Sequence, residues 1–137
     1  MTDSASKVPH DTATGSAAAG ICIDFYGRSE AEWTAAQNKG RARMGFLSPA
    51  NGTSVSADPI QLLRGAPNKQ AAVEFIEFVL SVDGQKLWNY RVGAPGGPKR
   101  YVLRRLPIRK DLYTPENIQY MTDRDASLYE SCAGFVY

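Results

Sequence analysis

The sequence predicts an α/β layered domain, and three observations predict it. Ile21–Phe25 is a nearly continuous apolar run of the kind found in strands buried on both faces. Arg43–Leu47 and Pro59–Leu63 are further strand-like runs bounded by turn residues. Helix patterns alternate with them, the strongest being Lys69–Leu80, where Ala72, Phe75, Ile76 and Val79 form a stripe that Val73 and Leu80 widen. Strands alternating with helices imply a sheet covered by helical layers.

Taken in order, Ser4 or Ser6 is placed to cap a short helix through about Ala13, with Pro9 near its first turn, Val8 on its apolar side and Gly15 at its end. The Ile21–Phe25 strand follows. Ser29 then caps a helix from Glu30 to about Asn38, with Glu30 and Glu32 in the first turn, Lys39 at the end and Gly40 as the stop. Arg43–Leu47 is closed by Ser48-Pro49 and the turn Asn51-Gly52. Pro59–Leu63 ends at Gly65-Ala66-Pro67, and Asn68 caps Lys69–Leu80. Ser81 caps the next helix, with Leu87, Trp88 and Val92 expected on its buried side. Ala94–Pro98 is a rigid turn, and Tyr101–Leu103 a short extended piece. From Pro115 the chain is polar with scattered aromatics. The expected organisation is an α/β lobe over residues 1–113 and a weakly packed C-terminal segment over 114–137.

At 137 residues the chain has the size of one domain, and its 43% apolar fraction describes a folded globule rather than a disordered chain. A net charge of +2 singles out no polyanionic partner, although Lys99, Arg100, Arg104, Arg105, Arg109 and Lys110 crowd one segment. Cys22 and Cys132 allow at most one disulfide and match no zinc spacing; Cys22 reads as a small buried hydrophobe. Ala71–Leu80 is too short to cross a membrane and carries Glu74 and Glu77. Thr2–Ser6 has neither the basic start nor the apolar core of a secretion signal.

The segment GAPNKQAAVEFIEFVLSVDGQKLW, residues 65–88, resembles the C-terminal half of extracellular solute-binding proteins of bacterial ABC importers, in the family of ferric-iron, thiamine and phosphonate binders. TDSASKV…GSAAAGICIDFYG, GFLSPANGTSVSADPIQLLRGAPN and GGPKRYVLRRLPIRKDLY agree with that family in order and spacing, so the resemblance covers about residues 2 to 113. It implies the three-layer lobe of a type 2 periplasmic-binding-protein-like fold, incomplete because a first lobe and a secretion signal are expected upstream and further helices downstream. It further implies a periplasmic, non-enzymatic protein whose partners are a small-molecule or ion ligand, an inner-membrane ABC permease and the missing N-terminal lobe. It implies no cofactor and no nucleic acid.

In open α/β sheets, ligands sit beyond the carboxyl ends of strands, where Asp24 and Tyr26 are expected. Strand alternation would point residues 24 and 26 to one side and Phe25 to the other. The family's ferric binders place two adjacent tyrosines there. Here the pair reads Phe25-Tyr26, so Tyr26 would be a metal ligand only in an iron binder, and the missing phenol weighs against iron. A buried carboxylate accepting backbone N–H bonds is the other reading of Asp24. Asp3, Ser4 and Ser6 lead a helix whose N-terminus faces the cleft in the family, where backbone N–H groups suit phosphate or carboxylate. A plain cap without ligand is equally compatible.

Asn51-Gly52-Thr53 fits a glycosylation triplet but reads first as a turn. His10 is the sole histidine, and no Ser/His/Asp or Cys/His arrangement is legible, which counts against a cytosolic α/β enzyme domain. The basic run 99–110 has Tyr101 within it and Tyr113 just beyond. As a nucleic-acid module it lacks a surplus of net charge; a solvated, partly ion-paired surface is the default reading, ahead of a lobe surface near the hinge or the permease-docking face that the resemblance implies.

Overall fold

The computed structural model describes residues 4–56 and 59–136, with the side chains of 56 and 131–136 left aside. The described chain is predominantly helical, which overturns the three-layer α/β lobe. It divides into two compact units, Met1–Ser48 and Pro49–Tyr137.

In the first unit, α1 spans Lys7–Thr14 and ends, as expected, on Gly15 in the left-handed region at φ 86°. Ser6 occupies the cap position but makes no side-chain cap bond. α2 spans Asp24–Gln37; it takes in Asp24 and Phe25 of the expected strand Ile21–Phe25, whose other residues form no strand, and absorbs the shorter helix expected after Ser29. The reason is physical. A strand requires a neighbour for its N–H and C=O groups, and residues 21–23, 43–47 and 59–63 belong to no strand pairing among the described residues. Asp24 instead enters a first turn that favours negative charge, and Glu30, Ala31, Glu32, Ala35 and Ala36 are strong helix formers that carry the helix past Ser29. Lys39 and Gly40, at φ 51° and 84°, stop it.

The described strands are β1, Thr53–Ser56, and β2, Cys132–Val136, paired in parallel. Thr53 lies opposite Cys132 and Ser54 opposite Gly134, with a break in register between them. None of the strand-like runs of the sequence takes part.

α3, Lys69–Leu80, and α4, Val82–Asn89, start where their capping residues place them. Asn68 accepts the Ala71 N–H at 3.0 Å. Ser81 serves two helices: its hydroxyl donates to the Phe78 carbonyl at 2.7 Å and accepts the Gly84 N–H at 3.1 Å. A Cβ at Gly84 would lie 2.0 Å from that same carbonyl, so only glycine lets α4 turn this closely over the end of α3.

The core of the second unit is small: Tyr90, Leu112 and Met121, flanked by Val82, Ala94, Ile118 and Tyr120. Leu112 closes a 3₁₀ turn, Lys110–Leu112; Ile118 ends α5, Pro115–Ile118; α6 spans Leu128–Ser131. Residues 115–123, expected to be weakly packed, therefore supply part of this core. The inward side of α4 carries Gln85 and Asn89, both fully buried, while Val92 is exposed and Leu87 and Trp88 are half-buried. Gln85 donates to the Val79 carbonyl at 2.9 Å and accepts the Ile108 N–H at 2.8 Å. Asn89 donates to the Asp123 carboxylate at 3.0 Å and accepts the Asp123 N–H at 3.0 Å. Arg104 completes the set with a two-point contact, its Nε at 3.1 Å from Asp123 Oδ2 and its Nη2 on Oδ1. Tyr90 donates to Asn117 Oδ1 at 2.6 Å.

Asp123→Ala would leave the Arg104 guanidinium and Asn89 without their buried partner. The expected loss is about 3–5 kcal/mol of unfolding free energy; an unchanged urea midpoint would show that the network does not hold the unit. Burial pushes the Tyr90 phenol up, against a smaller opposing effect of the Lys86 ammonium. With the folded value above the unfolded one, its stabilisation is complete below about pH 10 and disappears as pH rises through the folded value. A urea midpoint that falls on alkalinisation in the wild type, and falls less in Tyr90→Phe, is the expected record.

Candidate functional site

The run Ile23-Asp24-Phe25-Tyr26 forms the entry to α2, with Ile23 extended at φ −65°, ψ 140° as the residue before the helix. Helical geometry changes the relation expected between Asp24 and Tyr26. Two residues along a helix are separated by roughly 200° of rotation, so the side chains diverge instead of lining one side as they would on a strand. The Phe25 and Tyr26 rings meet with centroids 4.0 Å apart at an interplanar angle of 32°. Asp24, Phe25 and Tyr26 are all half-buried.

What fixes this entry is Gly27. A Cβ there would lie 2.3 Å from Phe46 Cδ2 and 3.1 Å from Cys22 Sγ. Its absence lets the first turn of α2 rest on the Phe46 ring, with the Arg28 guanidinium 5.1 Å from the ring centroid on a cation–π contact. Phe46 thus reaches the helix as a side-chain anchor, not as part of a strand. Partial burial pushes the Cys22 thiol up; the Gly27 N–H opposes this, and the nearby Asp24 carboxylate adds to it. Cys22 is accordingly a protonated, packed thiol.

Of the second group, Asp3 lies outside the described residues. Ser4 and Ser6 are exposed, and their hydroxyl oxygens lie 3.0 Å apart in a mutual hydrogen bond. α1 is joined to α2 by His10 Nδ1, 3.4 Å from Glu30 Oε1, which gives the sole histidine a partner. Gly20 lies against α1, where a Cβ would stand 2.4 Å from Val8 Cγ1. Asp24 and Ser6 stand at the starts of two different helices, and among the described residues no three His, Cys, Asp or Glu side chains gather into a metal site.

The second unit offers a recess of about 310 Å³ lined by Leu62, Leu63, Arg64, Gly65, Ala66 and Lys69 at the approach to α3. Its lining combines two cations, Arg64 and Lys69, with apolar Leu62, Leu63 and Ala66. Three cations of the basic run beyond it are engaged within the unit. Arg104 holds Asp123; Arg109 binds Asp111 at 2.6 Å and the Leu80 carbonyl at 3.2 Å; the Lys110 ammonium lies 5.1 Å from the Tyr129 ring centroid. The hydrogen bond from Arg109 holds the Asp111 carboxyl below its usual range.

Sequence reasoning did not single out Gln85, Asn89 and Asp123, because polar residues on an inward helix face leave no mark in a hydrophobic pattern; Gly84 was the available signal. No family model matches the chain, and no curated protein or solved structure matches it.

Gly27→Ala should cost the first unit about 1–3 kcal/mol through overpacking against Phe46. The paired variant Gly27→Ala with Phe46→Leu should recover part of that loss in thermal or urea unfolding; equal losses in both would show that the Gly27–Phe46 contact is not the constraint.

Proposed function

We propose that this chain is part of the solute-binding component of a bacterial ABC importer, a periplasmic, non-enzymatic protein that captures a small polar or anionic solute and hands it to a membrane permease. The three-layer lobe is no part of the reading. The observation that carries it is the entry to α2: the Asp-Phe-Tyr-Gly run, which resembles that family, opens a helix, so that Asp24 and Tyr26 stand at the positive end of its dipole. The specific Gly-Ala-Pro-Asn segment gives support of the same kind, since α3 and α4 begin at Asn68 and Ser81.

A second support is apolar exposure. Ile21 is 98% exposed, Leu47 75%, Leu63 68% and Phe75 60%. Ile21 and Leu47 belong to the first unit and Leu63 and Phe75 to the second, and on each unit such exposed apolar side chains suit a surface that further polypeptide covers. α3, with its wide apolar stripe, has no fully buried residue. In the proposed mechanism, solute enters between this chain and a second lobe, and closure is driven by contacts from both. Asp24 accepts hydrogen bonds from donor groups of the solute, the helix start receives an anionic end, and Tyr26, which diverges from Asp24 around the helix, supplies a phenol to a different part of the solute. Tyr26 as an iron ligand would need further hard oxygen donors from that second lobe.

The test is calorimetric titration of phosphate, phosphonate, amino-acid and thiamine-like solutes into this chain alone and into the product of the gene with its upstream coding sequence. Binding should require the longer product. There, Asp24→Ala and Tyr26→Phe should each weaken it by about ten- to a hundredfold, the cost of one lost hydrogen-bonding group of about 1–3 kcal/mol. Tight binding by this chain alone, or unaltered affinity in both variants, would overturn the assignment of these residues.

A further inference from the structure

The chain contains five asparagines, and four of them are held by their surroundings. Asn38 donates to the Arg41 carbonyl at 3.0 Å, and Asn68 caps α3. Asn89 is buried between Asp123 and the Arg105 carbonyl. Asn117 donates to the Asp111 carbonyl and accepts from Tyr90. Asn51 differs in three respects. It is exposed, its carboxamide has no hydrogen-bond partner among the described residues, and it alone precedes a glycine. Its backbone is in the left-handed region at φ 58°, and the Gly52 N–H donates to the Pro49 carbonyl at 3.0 Å, closing a turn.

We infer that Asn51 is the site at which this chain deamidates spontaneously, through a cyclic imide, to isoaspartate and aspartate. In the first step the Gly52 backbone nitrogen loses its proton and attacks Asn51 Cγ. An N–Cγ bond closes a five-membered ring, the Cγ–Nδ2 bond breaks, and ammonia departs with the proton. Water then opens the ring at either carbonyl. Attack at Cγ restores the normal backbone with an aspartate side chain; attack at the backbone carbonyl leaves the chain running through the former side chain. Water is the only co-reactant. Glycine matters because no side chain shields its nitrogen. The bond to Pro49 must open before attack, and an exposed turn opens at small cost.

Asp83-Gly84 is the internal contrast, since aspartate before glycine can close the same ring with loss of water. There the glycine N–H is held by Ser81 Oγ at 3.1 Å, inside α4, and the glycine is buried against the Phe78 carbonyl. The geometry therefore selects residue 51 over residue 83. The consequence falls on β1, which begins two residues later with Thr53 opposite Cys132. A new carboxylate lowers the formal charge from +2 by one unit, and isoaspartate lengthens the backbone by a methylene just ahead of the strand.

The test is incubation of the full chain at mildly alkaline pH, followed by tryptic mapping and enzymatic methylation of isoaspartate. A mass gain of about one dalton, confined to the peptide of residues 44–64 and methylatable at residue 51, is expected. It should vanish in Asn51→Gly, which keeps the positive φ without the amide. Urea, by opening the turn, should speed the reaction in the wild type. Retention of the amide at residue 51 in the folded chain, or a gain undiminished in Asn51→Gly, overturns the inference.

Discussion

A carboxylate taken out of water must be matched in charge and in hydrogen bonds, and at Asp123 two residues do this from distant points of the chain. Arg104 brings the charge in a two-point contact, and Asn89 clasps the carboxylate and its own N–H from α4. A broken set would leave an uncompensated charge at a cost of several kcal/mol. Arg104 adopts φ 59°, a conformation rare outside glycine, to present its fork. The loop of residues 99–109 is thereby tied to α4 and to the segment that follows α5. The apolar core of Tyr90, Leu112 and Met121 then closes around the tie.

The same network changes the meaning of the basic run. A cluster of cations in sequence suggests a polyanion surface, but a guanidinium bound inside a network is withdrawn from that task. Arg104 and Arg109 act as struts: one reaches a buried carboxylate, the other Asp111 and the end of α3. Electrostatic reading of a sequence counts charges, whereas their availability depends on which partners the fold delivers.

The apolar surface has the opposite character. α3 has the widest apolar stripe in the chain, yet its side chains face α4 only in part, and Phe75 and Phe78 remain exposed. The apolar runs 21–23 and 59–63 belong to no strand pairing among the described residues. Their composition fits a sheet interior, which one short parallel pair cannot provide.

Local chemistry was legible where it depends on a few neighbouring residues. Gly15 ends α1, Asn68 and Ser81 start α3 and α4, and Asn51-Gly52 makes its turn, because capping and turn formation are decided by side chains within one or two turns of the backbone. The strands were not, since an apolar run becomes a strand only if another strand arrives beside it; Asp24–Phe25 went into a helix instead, and that removed the shared side expected for Asp24 and Tyr26. Nor was the polar interior, since Asn89, Arg104 and Asp123 are separated along the chain and have no common pattern. The sequence by itself determined where α3 and α4 begin and where α1 and α2 stop. Only the tertiary structure decided which runs would pair, which cations would be used up internally, and which polar residues would be buried, because each of those depends on what lies across space and not along the chain.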